Sequence, residues 1–238
     1  MSTSLEQIAE VLPIRSAAGK VRWEKCVNMF AGITQFLAWP FLAPVFRIFY
    51  SIDIEGRENF SQAKSPFVIV CNHIAFYDSF LFRLALGLWT PHLPLRFMAV
   101  DRFDWPVLNA LSDIGAIDLV YSLFGVFTIT PGRGAEHRGE NLEEAKLILE
   151  AGGNVVIYPE GRLATDPGIG TFKKGAAVLV RQTGASVVPV SFKLGPKGPL
   201  RRKISIRIGG PLHLIQGISE DEATASFFAA ISDLYNRA

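Results

Sequence analysis

The sequence predicts an α/β fold, a largely parallel central sheet flanked by helices, with an N-terminal helical element that associates with a membrane. Three observations carry this expectation. Short runs of β-branched residues alternate with helix-length segments over most of the chain, the pattern of parallel strands joined by crossovers. A stretch of 21 residues, Cys26 to Phe46, contains no charged side chain. Apolar residues make up 49% of the 238 and charged residues only 19%, with a positive mean hydropathy, so apolar surface must be hidden in a core, in lipid or in a pocket for an apolar ligand.

In chain order, the start Met1-Ser2-Thr3-Ser4-Leu5-Glu6 lacks the basic leader and cleavage pattern of a secretory signal, so the domain that follows the N-terminal element is expected on the cytoplasmic face of the cell membrane. Lys20, Arg22 and Lys25 precede the uncharged stretch and Arg47 ends it. Its length just suffices for a bilayer span. However, Trp39-Pro40 and Ala43-Pro44 interrupt helical hydrogen bonding in its second half, so a helix pair dipping into one leaflet is expected, with Trp23, Trp39 and Tyr50 at headgroup depth. Residues 1–55 are assigned to this element and 56–238 to the second domain, with the polar segment Ser51 to Ser65 as the link. Strands are expected at 66–72, 95–100, 125–130, 154–158, 187–192 and 203–208, and helices near 76–89, 105–122, 136–150, 173–183 and 219–236. Pro189 within its strand predicts an edge or a bulge. Glu136, Glu140, Glu143 and Glu144 load the front of the 136–150 helix, and Gly152-Gly153 ends it.

The chemistry concentrates where two apolar strands end. Val68-Ile69-Val70-Cys71-Asn72 runs into His73, with Asp78 five positions on. An imidazole oriented by a carboxylate at the exit of a strand can take a proton from a hydroxyl at neutral pH. About eighty residues later Asn154-Val155-Val156-Ile157 runs into Tyr158-Pro159-Glu160-Gly161-Arg162, where proline stops the ladder and glycine permits a sharp turn. No Gly-x-Ser-x-Gly elbow is present, and Gly168-Ile169-Gly170 lacks the third glycine of a phosphate loop. His73, His92, His137 and His213 have no metal-ligand spacing; the last three read as surface residues, and no metal or redox cofactor is expected. Cys26 and Cys71 read as small packing residues. A net charge of +2 gives no basis for a nucleic-acid partner. The basic residues are grouped: Lys193, Lys197, Arg201, Arg202, Lys203 and Arg207 fall within fifteen residues without an acid, a solvated face or a surface for anionic headgroups or carrier phosphates.

Asn72-His73 with Asp78, Gly125 to Arg133, Tyr158 to Arg162, and Val187-Val188-Pro189-Val190 are four blocks in an order that resembles the glycerolipid acyltransferase family, whose best-known members are 1-acylglycerol-3-phosphate acyltransferases. The resemblance covers about residues 55–210. It implies that 56–238 is an acyltransferase catalytic domain in which His73 is the general base and Asp78 orients it. It further implies that Arg133, Glu160, Gly161 and Arg162 serve the acceptor. By the same resemblance the partners are a lysophospholipid acceptor, first of all 1-acylglycerol-3-phosphate, an acyl-CoA or acyl carrier protein donor acting as co-substrate, and the membrane surface. The sequence departs from the family pattern at Ala75, where a serine is usual, in Phe127-Thr128-Ile129-Thr130-Pro131-Gly132-Arg133, and at Arg162-Leu163. Those departures keep other acceptors open (another lysophospholipid, an amino-acid lipid, a glycolipid). A non-catalytic lipid-binding module is the rival from another class.

Overall fold

A computed structural model describes residues 17–75, 77–100, 116–129, 137–163, 168–196, 200–215 and 217–238. The elements are α1 Ala17–Phe49, β1 Tyr50–Glu55, α2 Asn59–Gln62, β2 Phe67–Cys71, α3 Asp78–Leu86, β3 Leu95–Val100, α4 Ala116–Phe124, β4 Val126–Ile129, α5 His137–Glu150, β5 Asn154–Ile157, α6 Gly175–Thr183, β6 Ser186–Leu194, β7 Arg202–Ile208 and α7 Glu220–Asn236. The seven strands form one sheet in the order β1-β7-β6-β2-β5-β3-β4. Every neighbouring pair is parallel except β6 and β7, which gives the expected largely parallel sheet with helices on both faces.

Strand β2 shows why its sequence is so apolar. All five residues are buried, because both faces of an interior parallel strand are covered. Phe67, Ile69 and Cys71 join one core layer with Phe60 of α2 and Leu81 and Phe82 of α3. Val68 and Val70 point the other way, to Ile148 of α5, Leu179 of α6 and Phe227 and Ile231 of α7, the alternation that a pleated strand imposes. Each such side chain contributes about 1.5–3 kcal/mol on burial. Helix α7 starts on a capping box, in which Ser219 and Glu222 satisfy each other's backbone N–H groups.

Three expectations are corrected. Residues 51–55, read as the start of a polar link, form edge strand β1 together with Tyr50. Ile52 and Ile54 of this strand pack against the core, while Asp53 and Glu55 pair with Arg207 of β7 at 2.8 and 3.2 Å. The N-terminal element is a single 33-residue helix that runs through Pro40 and Pro44, because packing of Ala43 and Phe46 on the domain outweighs the local cost of the prolines. Pro189 lies in an interior rather than an edge strand, opposite Val70 of β2, and its carbonyl accepts from Gly209 N at 2.9 Å. Between the last β6–β7 rung, Val190 opposite Ile208, and the Val187–Leu212 bridge the partner side carries one extra residue, the bulge of the sequence reading. Two smaller corrections follow: Cys26 is exposed while Cys71 is buried, and His92 is half-buried against Phe67. Residues 1–16, and the first part of the helix expected at 105–122, lie outside the described residues.

Helix α1 is amphipathic in the reverse sense. Glu24, Asn28 and Gln35 are among its buried residues, while Met29, Phe30, Ile33, Leu37, Phe41, Val45, Ile48 and Phe49 are exposed. Arg96 of β3 donates to Glu24 Oε2 and to Asn28 Oδ1, each at 2.8 Å. Gln35 acts as a piece of strand: Oε1 accepts from Leu95 N at 3.0 Å, and Nε2 donates to the Leu95 carbonyl at 2.6 Å and to that of Phe124 at 2.8 Å. Gly125 makes this approach possible, since a Cβ there would lie 2.7 Å from the Leu95 carbonyl oxygen and 2.8 Å from Gln35 Nε2. Arg96→Met leaves Glu24 buried without its cation, so a loss of about 3–5 kcal/mol is expected in denaturant unfolding in mild detergent. Adding Glu24→Gln should recover part of that loss.

Candidate active site

The C-terminal edge of β2 is fixed by Asn72, whose side chain is fully buried. Its Nδ2 donates to the Phe192 carbonyl and its Oδ1 accepts from Phe192 N, both at 2.8 Å, so the chain leaving β2 is bonded to β6. The next residue, His73, retains 21% exposure of its side chain. Its Nδ1 lies 2.8 Å from Asp78 Oδ2. That same oxygen accepts from Ile74 N at 2.8 Å and Ala75 N at 3.1 Å. Asp78 opens α3, where the helix N-terminus also favours a negative charge. An ionised carboxylate only accepts hydrogen bonds, so Nδ1 carries the proton and Nε2 of the neutral ring keeps its lone pair, a tautomer assigned from the hydrogen-bond network.

The electrostatics of the pair are set by burial. Asp78 is fully buried, and desolvation pushes its carboxyl above the usual range; the bond and charge of His73 and the Ala75 and Ile74 amides pull it back only in part. Asp78 Oδ1 has no partner among the described residues. Beside the pair stands Tyr158, brought there by the β2–β5 register of Val70 opposite Ile157. Its ring stacks on His73 with centroids 4.1 Å apart and planes 18° from parallel. Burial, then the Asp78 and Cys71 charges, push the phenol well above its ordinary value, so it stays protonated.

The turn after β5 holds the second group of site residues. Glu160 is buried, and desolvation raises its carboxyl against the backbone N–H groups of His73 and Gly170 and the charges of His73 and Arg162. It thus braces the strand exit from inside. Gly161 adopts φ +65°, and a Cβ there would lie 2.5 Å from Lys173 Nζ, so the missing side chain leaves room for the lysine, whose backbone N donates to the Pro159 carbonyl at 2.8 Å. Arg162 is exposed. Arg133 lies outside the described residues. Sequence reasoning singled out His73 and Asp78, and the structure brings them into contact. It missed Tyr158 as a partner of the imidazole and Asn72 as the clamp. The available signals were an aromatic residue directly before Pro-Glu-Gly and an amide directly before the histidine.

Comparison with known proteins gives a consistent result. Residues 51–193 match the family model described as Acyltransferase. The chain is 31% identical over 156 residues to the chloroplastic 1-acyl-sn-glycerol-3-phosphate acyltransferase LPAT1 of Arabidopsis thaliana, across 63% of this chain and 39% of that protein. It is 29% identical over 148 residues to the human 1-acyl-sn-glycerol-3-phosphate acyltransferase beta, across 62% of this chain and 49% of that one. The matched stretch therefore spans about two-fifths of the first relative and about half of the second. Among solved structures, the 1-acyl-sn-glycerophosphate (LPA) acyltransferase PlsC of Thermotoga maritima superposes with a TM-score of 0.56 at 20% identity, covering 92% of this chain and 82% of that one; at that identity the likeness speaks to the fold.

The raised carboxyl of Asp78 yields a test. A carboxyl whose value is higher in the fold than in the unfolded chain weighs against folding once ionised, above its folded value. That penalty disappears as pH falls through the folded value to the unfolded one. Asp78→Asn is expected to melt no lower than the wild type at pH 7, with the difference closing toward about pH 4 in thermal melts at several pH values.

Proposed function

The chain belongs to the acyltransferase family, and on that footing we propose that it moves a fatty acyl group from an acyl-CoA or acyl carrier protein thioester to a lysophospholipid hydroxyl, 1-acylglycerol-3-phosphate first. The observation that carries this reading is the 2.8 Å contact of His73 Nδ1 with Asp78 Oδ2 at the strand exit. His73 Nε2 takes the acceptor's hydroxyl proton as that oxygen attacks the thioester carbonyl. Asp78 stabilises the imidazolium that forms. Collapse of the tetrahedral intermediate breaks the C–S bond, and the imidazolium returns the proton to the departing thiolate. No acyl-enzyme and no resident cofactor enter this sequence of steps. Tyr158 and Asp78 together fix the plane of the imidazole, which limits the loss of orientation that proximity catalysis cannot tolerate.

Arg133 and Arg162 are assigned to the acceptor's phosphate, for which the guanidinium fork is suited; Glu160 and Gly161 serve it by shaping the turn that carries Arg162. The Arg162-Leu163 pair supports keeping another lysophospholipid, an amino-acid lipid or a glycolipid as alternative acceptors with the same chemistry. The reverse amphipathicity of α1 supports a monotopic attachment to the cytoplasmic face: the polar side is bonded to the domain, so the apolar side is the one offered to a single leaflet.

With labelled acyl thioesters and a panel of lysolipids, His73→Ala is expected to lower turnover by about 10²–10⁴-fold while the protein stays folded. Undiminished turnover rejects the assigned base, and lipid binding by a wild-type protein that turns over no thioester favours the non-catalytic module. Arg133→Ala should depress turnover of phosphate-monoester acceptors selectively. In vesicle co-sedimentation, Phe41→Asp combined with Phe49→Asp should shift the protein from the lipid pellet to the supernatant; unchanged partition rejects α1 as the attachment face.

A further inference from the structure

Five strands, β6, β2, β5, β3 and β4, deliver their C-terminal ends to the edge of the sheet where His73 sits, whereas β7 and its parallel neighbour β1 run the opposite way. The starts of β1 and β7, Tyr50 and Arg202, therefore come to the edge that carries the catalytic pair. From this reversal we infer that Arg201 and Arg202, with Arg47 beside them, bind the phosphate end of the pantetheine arm on which the thioester donor is carried, a chemistry shared by acyl-CoA and acyl carrier protein. The inference rests on the acyl-transfer reading and adds a place for the donor, which neither His73 nor the acceptor arginines supply.

Charge singles these residues out. Along the basic run of β6 and β7, Lys203 pairs with Asp53 at 3.1 Å, and Arg207 pairs with Asp53 and Glu55. Among the described residues Arg47, Arg201 and Arg202 are exposed and enter no ion pair. Arg201, just before β7, and Arg202, which opens it, are instead held by backbone oxygens: Arg201 Nη1 donates to the Arg47 carbonyl at 2.9 Å, and Arg202 Nε donates to that of Gly195 at 2.7 Å. A guanidinium tethered at one nitrogen keeps its remaining N–H groups in a fixed fork, the arrangement that suits phosphate.

The separation also fits. Asn72 is level with Phe192, to which it is bonded, and the pairing of Leu194 with Ile204 sets Arg202 about four residues further along β6. That offset is about 13 Å along the strands and, across two strand spacings, about 10 Å sideways, a diagonal of about 16 Å. An extended pantetheine arm of about fourteen bonds reaches about 18 Å at ordinary bond lengths. Between the two ends lie Tyr50, Phe46 and Tyr77, with ring centroids 5.6–6.0 Å apart, and Tyr77 immediately precedes Asp78. This aromatic bridge gives the uncharged arm an apolar support.

The test compares full-length wild type with Arg201→Gln/Arg202→Gln on three donors of one acyl chain: acyl-CoA, acyl carrier protein thioester, and the N-acetylcysteamine thioester, which lacks any phosphate. The expected result is that kcat/KM for acyl-CoA falls about 10–100-fold through KM. The advantage of acyl-CoA over the N-acetylcysteamine thioester should collapse, and Arg201→Lys/Arg202→Lys should restore part of it. An equal fall with the carrier protein identifies the phosphate common to both donors; a fall with acyl-CoA alone identifies the nucleotide phosphates. An unchanged donor ratio overturns the inference, whether activity is normal, falls equally on every donor, or is lost together with vesicle binding, the last marking a headgroup site. A wild type that uses no thioester sinks the acyl-transfer reading itself, which an active wild type with an unchanged ratio leaves standing.

Discussion

One carboxylate oxygen organises the site. Asp78 Oδ2 accepts from the His73 ring and from the Ile74 and Ala75 amides, so the imidazole, the strand exit and the first turn of α3 converge on a single atom. Removing that carboxylate from water is costly, and its raised protonation equilibrium records the cost. Three donors offset it, and together they leave the ring one orientation and one tautomer. Around this point the surroundings are rigid: Asn72 ties the strand exit to β6, Tyr158 covers one ring face, and Glu160 fills the space behind. In the proposed mechanism the reactive nitrogen is thus specified by groups behind the ring, the form in which preorganisation lowers a barrier.

Much of this was legible in the sequence, for physical reasons. Six of the seven strands announce themselves, β2, β5 and β6 most clearly as apolar runs because interior strands are buried on both faces, and β7 by the alternation of Ile204, Ile206 and Ile208. The seventh, β1, has one apolar face and one charged one, and Ser51-Ile52-Asp53-Ile54-Glu55 reads as polar until Arg207 is seen to neutralise Asp53 and Glu55. The spacing of His73 and Asp78 is local, so a strand exit followed by a helix start brings them together with no long-range information. Tyr158 and Asn72 are different. Their roles depend on strand order and register, Val70 beside Ile157 and Asn72 beside Phe192, contacts that join residues about 87 and 120 positions apart in the sequence and that no local pattern encodes.

Helix α1 was misread for a related reason. Prolines at 40 and 44 predict a break if propensity is judged alone, yet the helix continues because its surroundings hold it. Its polar residues are its attachment to the sheet. Glu24 and Asn28 meet Arg96, and Gln35 extends the bonding of β3 through its amide. A helix that docks by hydrogen bonds and keeps its greasy side outward leaves that side for another apolar phase, and under the proposed leaflet attachment its polar contacts would be strengthened by the lower dielectric that lipid provides.

The passage from α1 to β1 has a mechanical meaning. Helix ends at Phe49 and strand begins at Tyr50, with no hinge residue between them. A helix of 33 residues is about 50 Å long, and coupled directly to an edge strand it behaves as a keel rather than a tether. With α1 attached to a leaflet as proposed, the domain would not roll or pitch on the bilayer independently of that keel. Under the proposed seating of α1 in a leaflet, the height of the imidazole above the lipid would be a constant of the fold, and a hydroxyl would be selected by the depth at which it floats before any pocket has examined its shape.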